Sequence, residues 1–141
     1  MIVALVFWLL LVSALAISWQ AGDSGDRSVI VAIGLSAAAT AVAQIFLPFL
    51  WARTAVALVN FLLLVIVWRH ALRSQRSWPI WFAGFHAAGF VFGLLTFLLP
   101  PDVRSIPSLV EGFWSLPALA ALVIGLQLDQ RGLIGEASTK N

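Results

Sequence analysis

The sequence predicts an all-α, polytopic integral membrane protein, a single domain over residues 1–141 built as a bundle of five transmembrane helices. The composition is the first reason: 62% of the 141 residues are hydrophobic and 10% are charged, whereas soluble domains contain about 25% charged residues. The second reason is the arrangement, since long apolar runs flank a single basic cluster at 69–76. A soluble protein with a basic loop between core helices is the alternative, and the composition disfavours it.

The basic cluster predicts a short cytoplasmic loop. Its arginines lie between tryptophans. Arginine-rich loops resist translocation across the membrane, and tryptophan side chains prefer the headgroup region. We therefore expect Trp68, Trp78 and Trp81 to mark the membrane surface, and we interpret His70, within the loop, as an interfacial residue.

The first apolar run, 2–19, predicts a span with the N-terminus outside. The segment Ala14-Leu15-Ala16 resembles the cleavage site of a signal peptide. No basic residue precedes the run, however, which favours a retained helix. The polar stretch 20–28 contains glycines and is typical of a loop, and Asp26 or Ser28 is expected to cap the next helix.

Residues 29–68 must form two elements. These 40 residues carry a single charge, Arg53, and one straight helix of that length would extend about 60 Å, twice the hydrocarbon thickness of roughly 30 Å. We expect the chain to fold back at 48–53, where a proline ends the helix. The spans are then 29–47 and 54–68, the second short enough to require local bilayer thinning or snorkelling arginines. Four spans plus a re-entrant hairpin is the alternative.

The last two predicted spans are 79–99 and 106–128. A proline occupies the first turn of the former, where its missing N–H costs no hydrogen bond, and a proline pair ends it. The latter contains Glu111 early and Pro117 internally. We therefore expect it to be kinked or to begin nearer Gly112.

The distribution of basic residues agrees with this order of five spans. With the basic loop inside, six basic residues are cytoplasmic and two are external, which is the bias of a correct orientation. The cytoplasmic residues are Arg27, Arg69, Arg73, Arg76, Arg131 and Lys140, and the external ones are Arg53 and Arg104. The sequence thus predicts a multi-pass protein of a bacterial plasma (inner) membrane, with the N-terminus outside and the C-terminus cytoplasmic.

Small residues at helical spacing predict the faces on which the helices pack, because they let backbones approach closely in lipid. They recur in three of the predicted spans. The candidates are Gly34, Ala38, Ala41, Gly89, Gly93, Ala121 and Gly125. A compact bundle is one interpretation, and docking to a larger membrane protein is a second that is compatible with it.

His86 lies in mid-span on the same helical face as the Gly89–Gly93 pair, and an ionisable group at that depth is a functional candidate. An imidazole can relay a proton, bind a quinone carbonyl, or ligate haem or chlorophyll. The alternative is a neutral, structural histidine hydrogen-bonded to a neighbouring helix, for which Asn60 offers a partner at similar depth. The lack of a second histidine nearby favours the structural role.

The remaining intramembrane polar candidates are Gln44, Arg53 and Glu111. All three fall near the outer face in the predicted topology, where an ion pair between Arg53 and Glu111 would satisfy the carboxylate. An unpaired Glu111 would instead be a candidate proton carrier. A later start of the fifth helix would leave it at the interface.

The motif content argues against an enzyme. The sequence lacks HExxH, GxSxG and P-loop patterns, and the absence of cysteine excludes disulfides and thiolate catalysis. We therefore expect a non-catalytic accessory or assembly subunit of a larger membrane complex. Its expected partners are the lipid bilayer and other membrane subunits, with no nucleic acid, cofactor or metal. The alternatives are a small proton-coupled transporter and a subunit that binds haem, quinone or pigment through His86.

Overall fold

The protein is all-helical over the residues described by the computed structural model, which are 2–21, 24–98 and 114–128. This confirms that the protein is all-α, as predicted. The helices are α1 (Ile2–Ala21), α2 (Ser24–Phe46), α3 (Phe49–Ala71), α4 (Trp78–Leu98) and α5 (Trp114–Leu128).

Three of these helices are long and apolar enough to cross a membrane, so the chain is a membrane-embedded helical protein. They are Ser24–Phe46, Phe49–Ala71 and the Trp78–Leu95 part of α4. Within the described residues, Val6–Ile17 and Trp114–Leu128 are shorter apolar helices. Five full spans therefore remain a prediction.

The predicted loop at 20–28 is wrong in extent, because most of it is helical. Helix α1 continues to Ala21 and α2 already begins at Ser24. The polar side chains find partners along the helices: the Ser28 hydroxyl donates to the Ser24 carbonyl at 2.9 Å, and Arg27 Nη2 donates to the Trp19 carbonyl at 2.9 Å. The Asp26 carboxylate also lies in the first turn of α2, where the helix dipole favours a negative charge.

The turn between α2 and α3 is tighter than predicted. Only Leu47 and Pro48 are non-helical, and α3 resumes at Phe49. Pro48, with φ −56° and ψ 149°, ends one helix and begins the next, because it lacks an N–H and disfavours the helical conformation of its predecessor. At 23 residues, α3 is much longer than the predicted span 54–68 and can cross a membrane without local thinning. The same length disfavours a re-entrant hairpin.

The α3–α4 loop, residues 72–77, is closed by local hydrogen bonds. The N–H groups of Arg73 and Ser74 both donate to the His70 carbonyl, at 3.0 and 2.8 Å. The Ser74 hydroxyl oxygen then accepts the Arg76 N–H at 3.1 Å. These contacts give the loop a defined shape and position its side chains relative to the end of α3.

The predicted fifth span is described only from Trp114 onward. Pro117 therefore lies in the first turn of the described part of α5. The expected start at 106, the alternative start near Gly112, and Glu111 itself lie outside the described residues.

The helices share one core at the end of the bundle that carries the 72–77 loop. Consecutive helices from α1 to α4 are neighbours. The buried cluster takes residues from all five helices: Leu11, Ala14, Val29, Ile30, Ile33, Leu63, Val67, Trp78, Phe82, Ala83, Ala118, Leu119, Leu122 and Leu126. Most of these positions lie towards the start of α2 and α4 and the end of α3 and α5, so the opposite half of the bundle is less filled.

Trp78 belongs to this core, which corrects its predicted place at the membrane surface. It is completely buried, whereas Trp68 and Trp81 are exposed, and the place of these two at the membrane surface stays a prediction. Gly125 of α5 makes room for it: a Cβ at that glycine would overlap the Trp78 Cβ and lie 3.2 Å from the Trp78 Cα. Helices α4 and α5 therefore make a close backbone approach at this point.

Candidate functional site

The less filled half of the bundle encloses a cavity of about 850 Å³. Its floor is formed by buried core residues, among them Ile33, Leu63 and Phe82, and its lining extends to Leu47 and Phe49 at the α2–α3 turn. Polar side chains enter it from α2, α3, α4 and α5. They are Ser36, Thr40, Gln44, Arg53, Asn60, His86 and Ser115.

His86 lies in the wall of this cavity and contacts α3. Its Nε2 is 3.2 Å from the backbone carbonyl oxygen of Asn60. Because a carbonyl can only accept, Nε2 carries the hydrogen, and Nδ1 of the neutral ring is left as an acceptor. The ring also stacks on Phe82, with centroids 5.7 Å apart and planes inclined by 17°.

The sequence pointed to Asn60 as the partner of His86, and this contact is present, but through the backbone. The side-chain amide of Asn60 is engaged within its own helix, where Nδ2 donates to the Val56 carbonyl at 2.9 Å. The Asn60 side chain nevertheless lines the cavity, with its amide oxygen as an acceptor. Asn60 thus positions His86 and offers a polar group of its own.

Arg53 and Gln44 line the part of the cavity nearest the α2–α3 turn. The Arg53 guanidinium lies over the Phe49 ring, 5.4 Å from its centroid. Arg53 precedes Asn60 by seven residues on α3, which corresponds to about 10 Å along the helix. Hydrogen-bonding groups therefore occur at two depths. The predicted partner of Arg53, Glu111, lies outside the described residues.

An aromatic wall faces these polar groups. The Trp114 ring stacks on Phe85 and on Phe92, with centroid distances of 6.1 Å in both cases and interplanar angles of 28° and 17°. Trp114 Nε1 is buried and has no hydrogen-bond partner among the described residues. Phe85 and Trp114 both line the cavity, so its apolar side is built from large, mutually packed rings.

A second polar cluster lies at the opposite end of the bundle, around Asp26. Its carboxylate accepts a hydrogen bond from His70 Nε2 at 2.8 Å and pairs with Arg76 Nη1. The Asp26 side chain is only 3% exposed. The His70 ring also packs against Trp78, with centroids 5.8 Å apart. The cluster joins the start of α2, the end of α3 and the following loop.

Sequence reasoning missed this cluster. It predicted Asp26 or Ser28 as a helix cap and His70 as an interfacial residue, whereas Asp26 and His70 are hydrogen-bond partners. The contact could have been predicted, because the predicted topology places the acidic segment before α2 and the basic loop after α3 on the same side of the membrane. Opposite charges on adjacent loops attract.

The small residues named by the sequence fall into two groups. Ala41, Gly89 and Gly93 line the cavity, Gly125 is packed against Trp78, and Ala121 is half-buried. Gly34 and Ala38 differ, because they do not pack within the bundle. Ala38 is exposed, and no atom lies within 4 Å of the position that a Cβ on Gly34 would take.

No protein-family model, no curated protein and no solved structure matches this chain. The fold defines its class: a helical membrane-embedded protein with a partly open, mainly apolar cavity that contains several polar side chains.

Proposed function

We propose that this chain is a non-catalytic integral membrane protein that binds an amphipathic small molecule in the cavity lined by α2, α3, α4 and α5. The observation that carries the proposal is the combination of an aromatic wall with hydrogen-bonding groups at two depths inside a cavity of about 850 Å³. Sites for small molecules are mostly apolar, have volumes of roughly 300–1,000 Å³, and contain a few placed polar groups.

The contacts of His86 narrow the kind of molecule that would bind. Its Nε2–H is used by the Asn60 carbonyl, so Nδ1 is the group left for a ligand. A hydroxyl or amide donor on the ligand would satisfy Nδ1, and Arg53 would donate to a carbonyl or acidic oxygen nearer the α2–α3 turn. These requirements favour a ring-bearing lipid that carries a hydroxyl group, such as a quinol, over haem. The proton-coupled carrier alternative relied on Glu111, which lies outside the described residues.

The test compares two substitutions on the same helix. Ala41→Phe places a large ring in the cavity, whereas Ala38→Phe adds the same ring to the exposed face of α2. Small molecules are extracted from the purified protein and identified by mass spectrometry, and a short-chain benzoquinol, kept reduced, serves as the binding probe. We expect a co-purifying amphipathic molecule and saturable probe binding in the wild type and in Ala38→Phe, and a large loss of both in Ala41→Phe.

Circular dichroism of each variant checks that the helices are retained. The proposal is wrong if the folded Ala41→Phe protein carries the same molecules and binds the probe as well as the wild type does. It is also wrong if the wild type retains nothing beyond detergent and bulk lipid and does not bind the probe.

A second candidate function is that of an accessory or assembly subunit of a larger membrane complex, and the outward face of α2 favours it. Gly34 and Ala38 are four residues apart and leave a shallow groove into which a helix of another membrane protein can pack. Gly84 of α4 is also exposed and open, and it provides the control. We expect Gly34→Leu, but not Gly84→Leu, to release a membrane protein that co-purifies with the wild type in mild detergent. Equal recovery from both variants would exclude this groove as the contact.

A further inference from the structure

A second, smaller cavity lies at the α3–α4 loop, at the end of the bundle opposite the first. Its volume is about 300 Å³, and its lining is entirely polar: His70, Arg73, Ser74, Gln75 and Arg76. These five residues are close in sequence and are held together by the hydrogen bonds that close the loop. The cavity is therefore a property of the loop itself.

The charges around this pocket leave an excess of positive charge on its outer side. Asp26 lies behind the pocket and does not line it, and it pairs with the inner sides of His70 and Arg76. Arg73 is exposed, and its guanidinium has no partner among the described residues. Two arginines thus line the pocket, and because Asp26 neutralises the charge of Arg76, the charge of Arg73 is in excess.

The remaining groups are hydrogen-bond donors of the kind that anions require. The Ser74 oxygen accepts the Arg76 N–H, so the hydroxyl hydrogen can be donated into the pocket. Gln75 adds an amide NH₂. Guanidinium groups match the geometry of phosphate oxygens and bind them through paired hydrogen bonds.

We propose that this pocket binds a phosphate group, and that the phosphate belongs to an anionic membrane lipid. The position of the pocket supports the lipid as the source. The exposed tryptophans Trp68 and Trp81 lie on either side of the loop, and tryptophan prefers the level of the lipid headgroups. Basic clusters beside membrane helices attract anionic lipids for electrostatic reasons. This inference does not depend on the larger cavity or its ligand.

The experiment uses two substitutions that remove the same charge. Arg73→Gln removes a guanidinium that lines the pocket, whereas Arg69→Gln removes one from the last turn of α3, outside it. Both side chains are exposed, so both variants should fold, as circular dichroism can verify. The full-length protein in detergent is titrated with dioctanoyl phosphatidylglycerol or dioctanoyl phosphatidylcholine, and bound lipid is counted by native mass spectrometry.

We expect the wild type and Arg69→Gln to prefer phosphatidylglycerol, and Arg73→Gln to bind it about fivefold more weakly, the loss expected for one arginine near an anionic lipid. Competition with inorganic phosphate tests whether the lipid is the source of the bound phosphate group. If phosphate displaces the lipid, the pocket also accepts free phosphate. If the lipid stays bound, the rest of its headgroup contributes to binding. Equal weakening by the two substitutions, or equal binding of the two lipids by the wild type, would overturn the proposal.

Discussion

At the scale of single residues, the buried carboxylate of Asp26 is the most consequential feature outside the cavity. Transfer of a carboxylate out of water is costly, and ion pairing offsets that cost only when the geometry is good and further hydrogen bonds are made. Asp26 meets this condition through His70 on one oxygen and Arg76 on the other. These contacts link the start of α2 to the end of α3 and to the 72–77 loop.

Removing one partner of this ion pair should therefore lower the free energy of unfolding more than removing both partners. We expect Asp26→Asn to lower the free energy of unfolding by roughly 3 kcal/mol, because it leaves His70 and Arg76 without their carboxylate beside the core. Combining it with Arg76→Gln should recover part of that loss. The measurement is detergent-induced unfolding of the purified protein, followed by circular dichroism. A double variant that is less stable than Asp26→Asn alone would contradict this account.

At the scale of helices, the sequence predicted the elements well and their ends poorly, for a physical reason. An apolar run that is long enough to span a membrane predicts a helix whatever its exact residues are. The ends depend on whether polar side chains find partners in a helix, as Ser28 does within α2 and Arg27 does at the Trp19 carbonyl of α1. They also depend on how little chain a proline needs to reverse direction, as at Pro48. Neither property is visible in composition.

The contacts between helices were predictable only in part. The His86 face of α4 was expected to meet α3, and it does so through the Asn60 carbonyl, a group that every residue possesses and that sequence cannot single out. Likewise, the sequence gives no reason to distinguish Trp78 from Trp81. Trp78 is buried because Gly125, on a helix distant in sequence, leaves room for it.

Gly125 gives the prediction at this scale. Gly125→Ala should destabilise the protein by about 1–3 kcal/mol, because the new methyl group would overlap the Cβ of Trp78 and the two backbones must separate. Gly34→Ala is the matched control, since its methyl group meets open space. There the better helix propensity of alanine should leave stability unchanged or raise it by up to about 1 kcal/mol. Equal effects in the same unfolding assay would show that the α4–α5 approach is not tight.

At the scale of the whole molecule, the bundle is divided into a packed half and an open half. The Asp26 cluster and the shared core of five helices close the end that carries the 72–77 loop. The larger cavity occupies the half near the α2–α3 turn. The orientation of the chain therefore decides which side of the membrane the cavity is nearer to.

The orientation itself is the last prediction. Arg27, Arg69, Arg73 and Arg76 gather at one end of the bundle, and Arg53 follows the turn at the other, so the bias of basic residues places the 72–77 loop in the cytoplasm. The chain contains no cysteine, so that labelling of a single introduced cysteine is measured without background from native cysteines. In intact bacterial cells, a membrane-impermeant maleimide should label Leu47→Cys, at the exposed α2–α3 turn, and should label Gln75→Cys only after the cells are permeabilised. The reverse pattern would invert the topology and place the α2–α3 turn, with the neighbouring part of the cavity, on the cytoplasmic side.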